Sequence, residues 1–549
     1  MTAGWGIMMA AVARAWLTGA WLPGIAQAAE AAAETPISCM PSAPAPTAIG
    51  NAKIGIDSCE IVSESIVLNR QGKKFRRLEI WLGGTVDGWA VTDKAAKMTY
   101  FTDGPDIVFP QFGVTAKPSH GVGRYSSPKG LPSAFPDGHA MTLLLPADRK
   151  DWNGKIFITA HGAGSYAKLG ELVPRDPQPH RAAANFYAGL MIDKGYAVAH
   201  TMRSAAMVGG DVKVTLDDGT VLPGGFNVSS NASLVLPWIA LAQKMTAEAE
   251  GAAPKRTYFY GHSAGAMLGH LINYWPGANR GADGKRVIDG FLMDDPGGGM
   301  WLPTLMRNGK DVLFTSEADR QLFAKQIDVA HQLYLGETGD FLVKKRENAR
   351  LLVQKGLGDR NRLYEVRGVS HFDANYPAAA DLPHSGVDMS GLFSELIDHL
   401  DAWVDRDVPP PPTMSDDPAL GHGKAAIALP INACPLGVAF VFPGPIGNSR
   451  RGTQLTDWAA FDGVNPEPLD ARGQLVDMNG NGKRDRRETV TAAWHRLGLL
   501  TANESFDRSR YIACVAAAAK NLVAAQLLPQ AMATYYVAQA KQHSLTGLQ

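Results

Sequence analysis

Thr257-Tyr-Phe-Tyr-Gly-His-Ser-Ala-Gly265 is the stretch whose reading decides the fold. Thr257–Tyr260 is an apolar run of strand-forming residues. Gly261-His262-Ser263-Ala264-Gly265 then turns sharply, and Ala266, Leu268, Leu271 and Ile272 carry the spacing of a buried helix. A Gly-x-Ser-x-Gly turn between a strand and a helix forces the serine into strained backbone angles. Side chains at either glycine would strike the neighbouring strand or helix. The hydroxyl of Ser263 then stands above a sheet edge with a helix N-terminus behind it. The unpaired N–H groups there suit a developing oxyanion.

A serine in this position needs a base and an acid. His371, in Gly-Val-Ser-His-Phe-Asp373, follows the expected strand Leu363–Val366 and is the candidate base. Asp319 follows the expected strand Val312–Thr315 and is the candidate acid, with Glu317 two residues earlier as a rival. Asp294 and Asp295, after the expected strand Val287–Met293, are rival candidates for the same role. The oxyanion donors expected are the N–H of Ala264 and that of Gly162 or Ala163, in His161-Gly-Ala-Gly164 after the strand Ile156–Ala160. Tyr166, Trp301, Phe372 and Tyr376 flank these segments and could line an acyl or aryl pocket.

From about 141 to 403 strands and helices alternate, the signature of a mostly parallel α/β sheet. Further strands are expected at Met141–Leu145 and Tyr196–Thr201. Helices are expected near 181–193, 231–249, 264–274, 321–334, 344–355 and 390–404. Residues 207–227 read as an inserted hairpin. The chain organises as a signal peptide (1–28), a β-rich N-terminal extension (37–139), a catalytic core (140–405), a Pro-rich linker (406–418) around Pro409-Pro-Pro-Pro412, and a mostly helical C-terminal module (419–549).

Ser263, Asp319 and His371 in that order, with His161–Gly164 upstream, resemble the α/β-hydrolase superfamily, and secreted serine esterases in particular. The resemblance covers roughly 140–405. The whole chain is also similar to a group of large exported α/β-hydrolases with an extra C-terminal module. The resemblance implies an α/β-hydrolase fold and ester hydrolysis through an acyl-enzyme, with no organic cofactor. The same residues would also serve a polyester or hydroxyalkanoate depolymerase, or an amidase or peptidase. A binding protein on a hydrolase fold is a reading of a different class.

Arg14 precedes the apolar run 15–28, which ends in the small-x-small pattern Ala26-Gln27-Ala28. This predicts a cleaved export signal and a secreted or periplasmic protein, with no membrane span afterwards. Four cysteines suit an oxidising compartment, and local pairing, Cys39–Cys59 and Cys434–Cys514, is expected. The 53 basic and 53 acidic side chains cancel, which argues against a nucleic-acid or anionic-membrane partner; the hydrolase resemblance implies a small or polymeric ester substrate. The segment 477–488 matches an EF-hand loop. Asp477, Asn479, Asn481, the Lys483 carbonyl, Asp485 and Glu488 would surround a structural Ca²⁺.

Overall fold

The computed structural model describes residues 37–543 with interruptions, the longest being 127–140, 161–186, 202–212, 370–386 and 437–489. The signal segment, Gly162, Ala163, His371, all four expected pocket aromatics and the loop 477–488 lie outside the described residues.

Twelve strands carry the argument: β1 (Lys53–Leu68), β2 (Lys74–Asp93), β3 (Ser119–Ser126), β4 (Met141–Pro146), β5 (Lys155–Ala160), β6 (Ala197–Thr201), β7 (Lys213–Leu216), β8 (Val221–Leu222), β9 (Arg256–His262), β10 (Gly290–Asp294), β11 (Lys325–His331) and β12 (Asn361–Val366). They lie in one sheet in the order β8-β7-β3-β2-β4-β6-β5-β9-β10-β11-β12, with β1 paired to β2. From β6 to β12 every pairing is parallel, and β4 pairs antiparallel with both β2 and β6. Parallel strands need crossovers that cover both faces, so their side chains are buried on both sides. All but the first residue of β9 is buried, which is why its sequence reads as a run and not an alternation.

The helices used below are α1 (Ala188–Asp193), α2 (Val228–Glu250), α3 (Ala264–Tyr274), α4 (Glu317–Leu322), α5 (Asp340–Gln354), α6 (Ser390–Arg406), α7 (Arg508–Ala524) and α8 (Gln530–Gln542). Glycines let two of them lie close on the sheet. A Cβ on Gly269 of α3 would fall 2.8 Å from Phe259 and 2.6 Å from Met293. A Cβ on Gly290 would fall 2.9 Å from Val404 and 3.0 Å from Leu400 of α6. Since side chains alternate along a strand, α3 and α6 cover opposite faces. On the α6 side Tyr187 stacks on Phe393 with ring centroids 4.0 Å apart, and Tyr258 donates to Asp401 at 2.6 Å.

Three differences from the sequence reading matter. First, within the expected β-rich extension, β2 runs unbroken from Lys74 to Asp93 and pairs with β4. The β-rich extension is thus continuous with the main sheet. Second, the described part of the region expected as a helix over 321–334 is α4 followed by β11. Of the expected strand 312–315 only Phe314 is described; it packs against Tyr274 and Phe323. Third, the Pro-rich segment docks along β12. Met414 and Ile427 make parallel bridges to Tyr364 and Val366, and Tyr364 donates to the Pro411 carbonyl at 2.5 Å. The buried carboxylate of Glu365 anchors this segment. It accepts from Arg346 Nε (2.7 Å) and Nη2 (2.8 Å), from Gln332 (3.0 Å), from the Asp416 N–H (3.1 Å) and from the Ser415 hydroxyl. Burial pushes its pKa up, but these donors together hold it below the ordinary glutamate value.

Both expected disulfides form, Cys39–Cys59 and Cys434–Cys514. α7 and α8 pack on the hydrolase core: a Cβ on Gly391 of α6 would fall 2.6 Å from Leu528, and Tyr536 donates to the Asp388 carbonyl at 3.0 Å. Residues 213–222 of the expected insertion form a hairpin whose first strand, β7, pairs with β3. Among the described residues no helix is long and apolar enough to cross a membrane.

Candidate active site

Ser263 directly follows β9 and caps α3 with φ 56° and ψ −122°. Positive φ in a residue with a side chain costs about 1–3 kcal/mol and persists only where the surroundings enforce it. Here they do. A Cβ on Gly261 would lie 2.5 Å from the Gly265 carbonyl carbon and 2.6 Å from the Ala266 nitrogen, so the chain can fold back this tightly only with glycine there. The Ser263 N–H donates to the Asp294 carbonyl (3.0 Å), pinning the turn to the end of β10, and its own carbonyl accepts from Met267 (3.2 Å). The residue is 8% exposed. The first N–H groups of α3, beginning at Ala264, have no acceptor within the helix and sit beside the serine.

Register places the C-terminal ends of the strands level. Ala160 pairs with Gly261, His262 with Asp294, Asp294 with Val329, and Val329 with Tyr364. β5, which leads into His161–Gly164, and β12, which leads toward His371, therefore end at the same edge as the strand bearing Ser263. Gly162, Ala163 and His371 themselves are not described.

Asp319 is placed elsewhere. It lies in the first turn of α4, where its N–H donates to Ser316 Oγ (3.1 Å) and its carboxylate accepts from the same hydroxyl (2.5 Å). α4 precedes β11. Arg360, one residue before β12 begins, donates to the carbonyls of Arg320 (3.1 Å) and Phe323 (3.0 Å). Both facts put Asp319 at the N-terminal edge of the sheet, whereas Ser263 stands at the C-terminal edge. The strand length from Lys325 to Val329 alone separates the edges by about 13 Å. Glu317 begins the same helix. The structure thus does not bring Asp319 toward Ser263.

Among the described residues, the acids at the serine's edge include Asp294, the last residue of β10, and Asp295, which follows it, with His331 at the end of β11. His331 is 1% exposed. Its Nε2 lies 2.9 Å from Asp294 Oδ1 and its Nδ1 3.5 Å from Asp295 Oδ2. Lys345 of α5, also buried, forms an ion pair with Asp295, and Tyr260 donates to Asp294 Oδ2 at 2.8 Å. Asp295 has φ 44°; its N–H reaches the Val329 carbonyl (2.9 Å) and its Oδ1 accepts the His331 N–H (2.9 Å). Burial alone would lower the His331 pKa. The carboxylates of Asp295 and Asp294 outweigh it and raise the value to about 9.

Sequence reading missed His331 and Lys345. Lys-Gln-Ile-Asp-Val-Ala-His does alternate, but Gln326 and Asp328 are polar on a buried face and obscure it. They are satisfied in place: Asp328 pairs with His270 (2.7 Å) and Asn361 (2.8 Å), and Gln326 donates to Tyr274 (2.6 Å). Among the described residues no group of His, Cys, Asp and Glu is arranged to hold a metal ion.

The strand order, the serine elbow after β9 and the level edge define an α/β-hydrolase. A family model described as an alpha/beta hydrolase domain matches residues 234–424, spanning Ser263, so this part of the chain carries an α/β-hydrolase domain. No curated protein matches the sequence. Similar solved structures include an esterase from Rhizomucor miehei (12% identity, 49% of this chain and 80% of that one, TM-score 0.29). LpqC, a poly(3-hydroxybutyrate) depolymerase from Bordetella parapertussis, is another (12%, 66% and 93%, 0.28). Esterase 2 of Thermogutta terrifontis is a third (14%, 49% and 91%, 0.28). At these scores the likenesses add nothing to the assignment of a substrate.

Proposed function

We propose that the protein is an exported serine hydrolase of carboxylic esters. The observation that carries this reading is Ser263 held at positive φ between β9 and α3, with Gly261 permitting the turn. Ser263 Oγ attacks the ester carbonyl, forming a tetrahedral oxyanion that the N–H groups of Ala264 and of Gly162 or Ala163 receive. His371 takes the serine proton and passes it to the departing alkoxide, so the C–O bond breaks and an alcohol and an acyl-serine remain. Water, deprotonated by the same base, releases the acid. We assign the group that orients His371 to the C-terminal edge, where Asp294 and Asp295 lie, in place of Asp319. The apolar run 15–28 and the two disulfides support export. The residues of 477–488 have the chemistry of a calcium loop, and a structural ion there is part of the proposal.

The test is hydrolysis of p-nitrophenyl esters, from acetate to long acyl chains, by the mature chain and by Ser263→Ala. Activity in the first, and a loss of about 10³-fold or more in the second, is expected. Equal rates in both would remove Ser263 as the nucleophile.

A further inference from the structure

Asp294, Asp295, His331 and Lys345 form a cluster of buried charges at the edge where the serine stands, and none of them is needed as nucleophile or base. We propose that His331, bridging Asp294 and Asp295, is a positioning residue for Ser263. The inference rests on the serine-hydrolase reading above and goes beyond it.

The link to the serine is direct. The Ser263 N–H is bonded to the backbone carbonyl of Asp294, whose side chain lies 2.9 Å from the His331 ring. The same ring faces Asp295, which follows Asp294 at positive φ and is laced to β11 through the Val329 carbonyl and the His331 N–H. Moving Asp294 therefore moves the anchor of the elbow. Among the described residues, the groups facing the cluster are Tyr260 and His262 of β9 (the His262 and His331 rings are 6.4 Å apart), Asp294 at the end of β10 and Asp295 after it, and Lys345 of α5. Glu365 of the adjoining strand pairs with Arg346; it is level with Ala330 and so projects from the other face. With its proton, His331 is a cation set between the two carboxylates, 2.9 Å from Asp294 and 3.5 Å from Asp295. Without it, one ring nitrogen becomes an acceptor facing a carboxylate, and the end of β10 is pushed apart. The two carboxylates raise the His331 pKa to about 9, so this change falls on the alkaline side of neutrality.

The experiment measures the rate of fluorophosphonate labelling of Ser263, and kcat and KM for p-nitrophenyl acetate, from about pH 6 to about pH 10. The full-length mature chain is compared with His331→Gln, with near-UV circular dichroism at each pH to report the fold. Expected for the wild type are labelling and kcat that fall as pH rises through about 9 while the fold persists. Expected for His331→Gln are a kcat lowered about tenfold or more at neutral pH, KM within about twofold, and no alkaline fall. A folded His331→Gln with wild-type rates, or one that keeps the same alkaline limb, overturns the proposal. If His331→Gln does not fold, the wild-type profile decides alone: rates flat to the alkaline end, or lost only with the fold, overturn it. No Ser263-dependent labelling at any pH would instead sink the serine-hydrolase reading, and this inference with it.

Discussion

Asp319→Asn separates the two assignments of the acid. At the N-terminal edge, among the described residues, the Asp319 carboxylate bonds only to Ser316 at the head of α4, so the substitution should cost about 0.5–1 kcal/mol in stability and change kcat/KM less than about twofold. Asp295→Asn should lower kcat/KM by about 10²-fold or more, read with p-nitrophenyl acetate. His331 carries a pH dependence of stability. Its folded pKa, about 9, lies above the ordinary 6.5, so its contribution is fully present below pH 6.5 and is lost as pH rises through about 9. The amount is on the order of 3 kcal/mol, and urea melts at neutral and alkaline pH would read it. Ser263 was legible because glycine spacing encodes a backbone shape. Asp294 and Asp295 were legible only as rivals for the acid, and His331 not at all, because nothing local in either says which strand end will lie beside which.

Strands and helices were legible wherever one period dominates. β4, β5, β6 and β9 carry mostly apolar runs, and α6 carries a clear stripe that buries Leu392, Leu396, Leu400 and Trp403. β11 was lost because its polar side chains are satisfied by distant partners, His270 and Asn361 among them. With β11 unrecognised, the acid expected from the sequence is Asp319, which the structure places at the N-terminal edge, away from Ser263. The Pro-rich segment misled in the other direction: its composition suggests a free linker, and its contacts with Glu365 make it part of the sheet. Arg346→Met should leave that carboxylate buried with its main charge partner gone. A loss of about 3–5 kcal/mol is expected in thermal or urea melts, with kcat/KM of the remaining folded protein unchanged.

The whole molecule is more continuous than its composition suggests. The N-terminal strands extend the main sheet, and α7 and α8 pack against α6 through Leu528 and Tyr536. Replacing both Cys434 and Cys514 with serine opens a loop of 80 residues. It should cost about 2–5 kcal/mol, seen as a lower melting temperature that reduction of the wild type reproduces. Ending the chain at Pro412 removes the segment docked on β12 and uncovers α6, so the shortened protein should be recovered mainly as insoluble material.

That insolubility would have a particular origin. A parallel sheet that stopped at β12 would present a bare row of N–H and C=O groups, a template onto which another copy could add its own strand. Met414 and Ile427 occupy part of that row, and the neighbouring prolines, Pro409 to Pro412, have no N–H to offer a newcomer. The stretch that looks like a spacer in the sequence thus acts as a guard against self-association, ending the sheet where another chain could otherwise continue it.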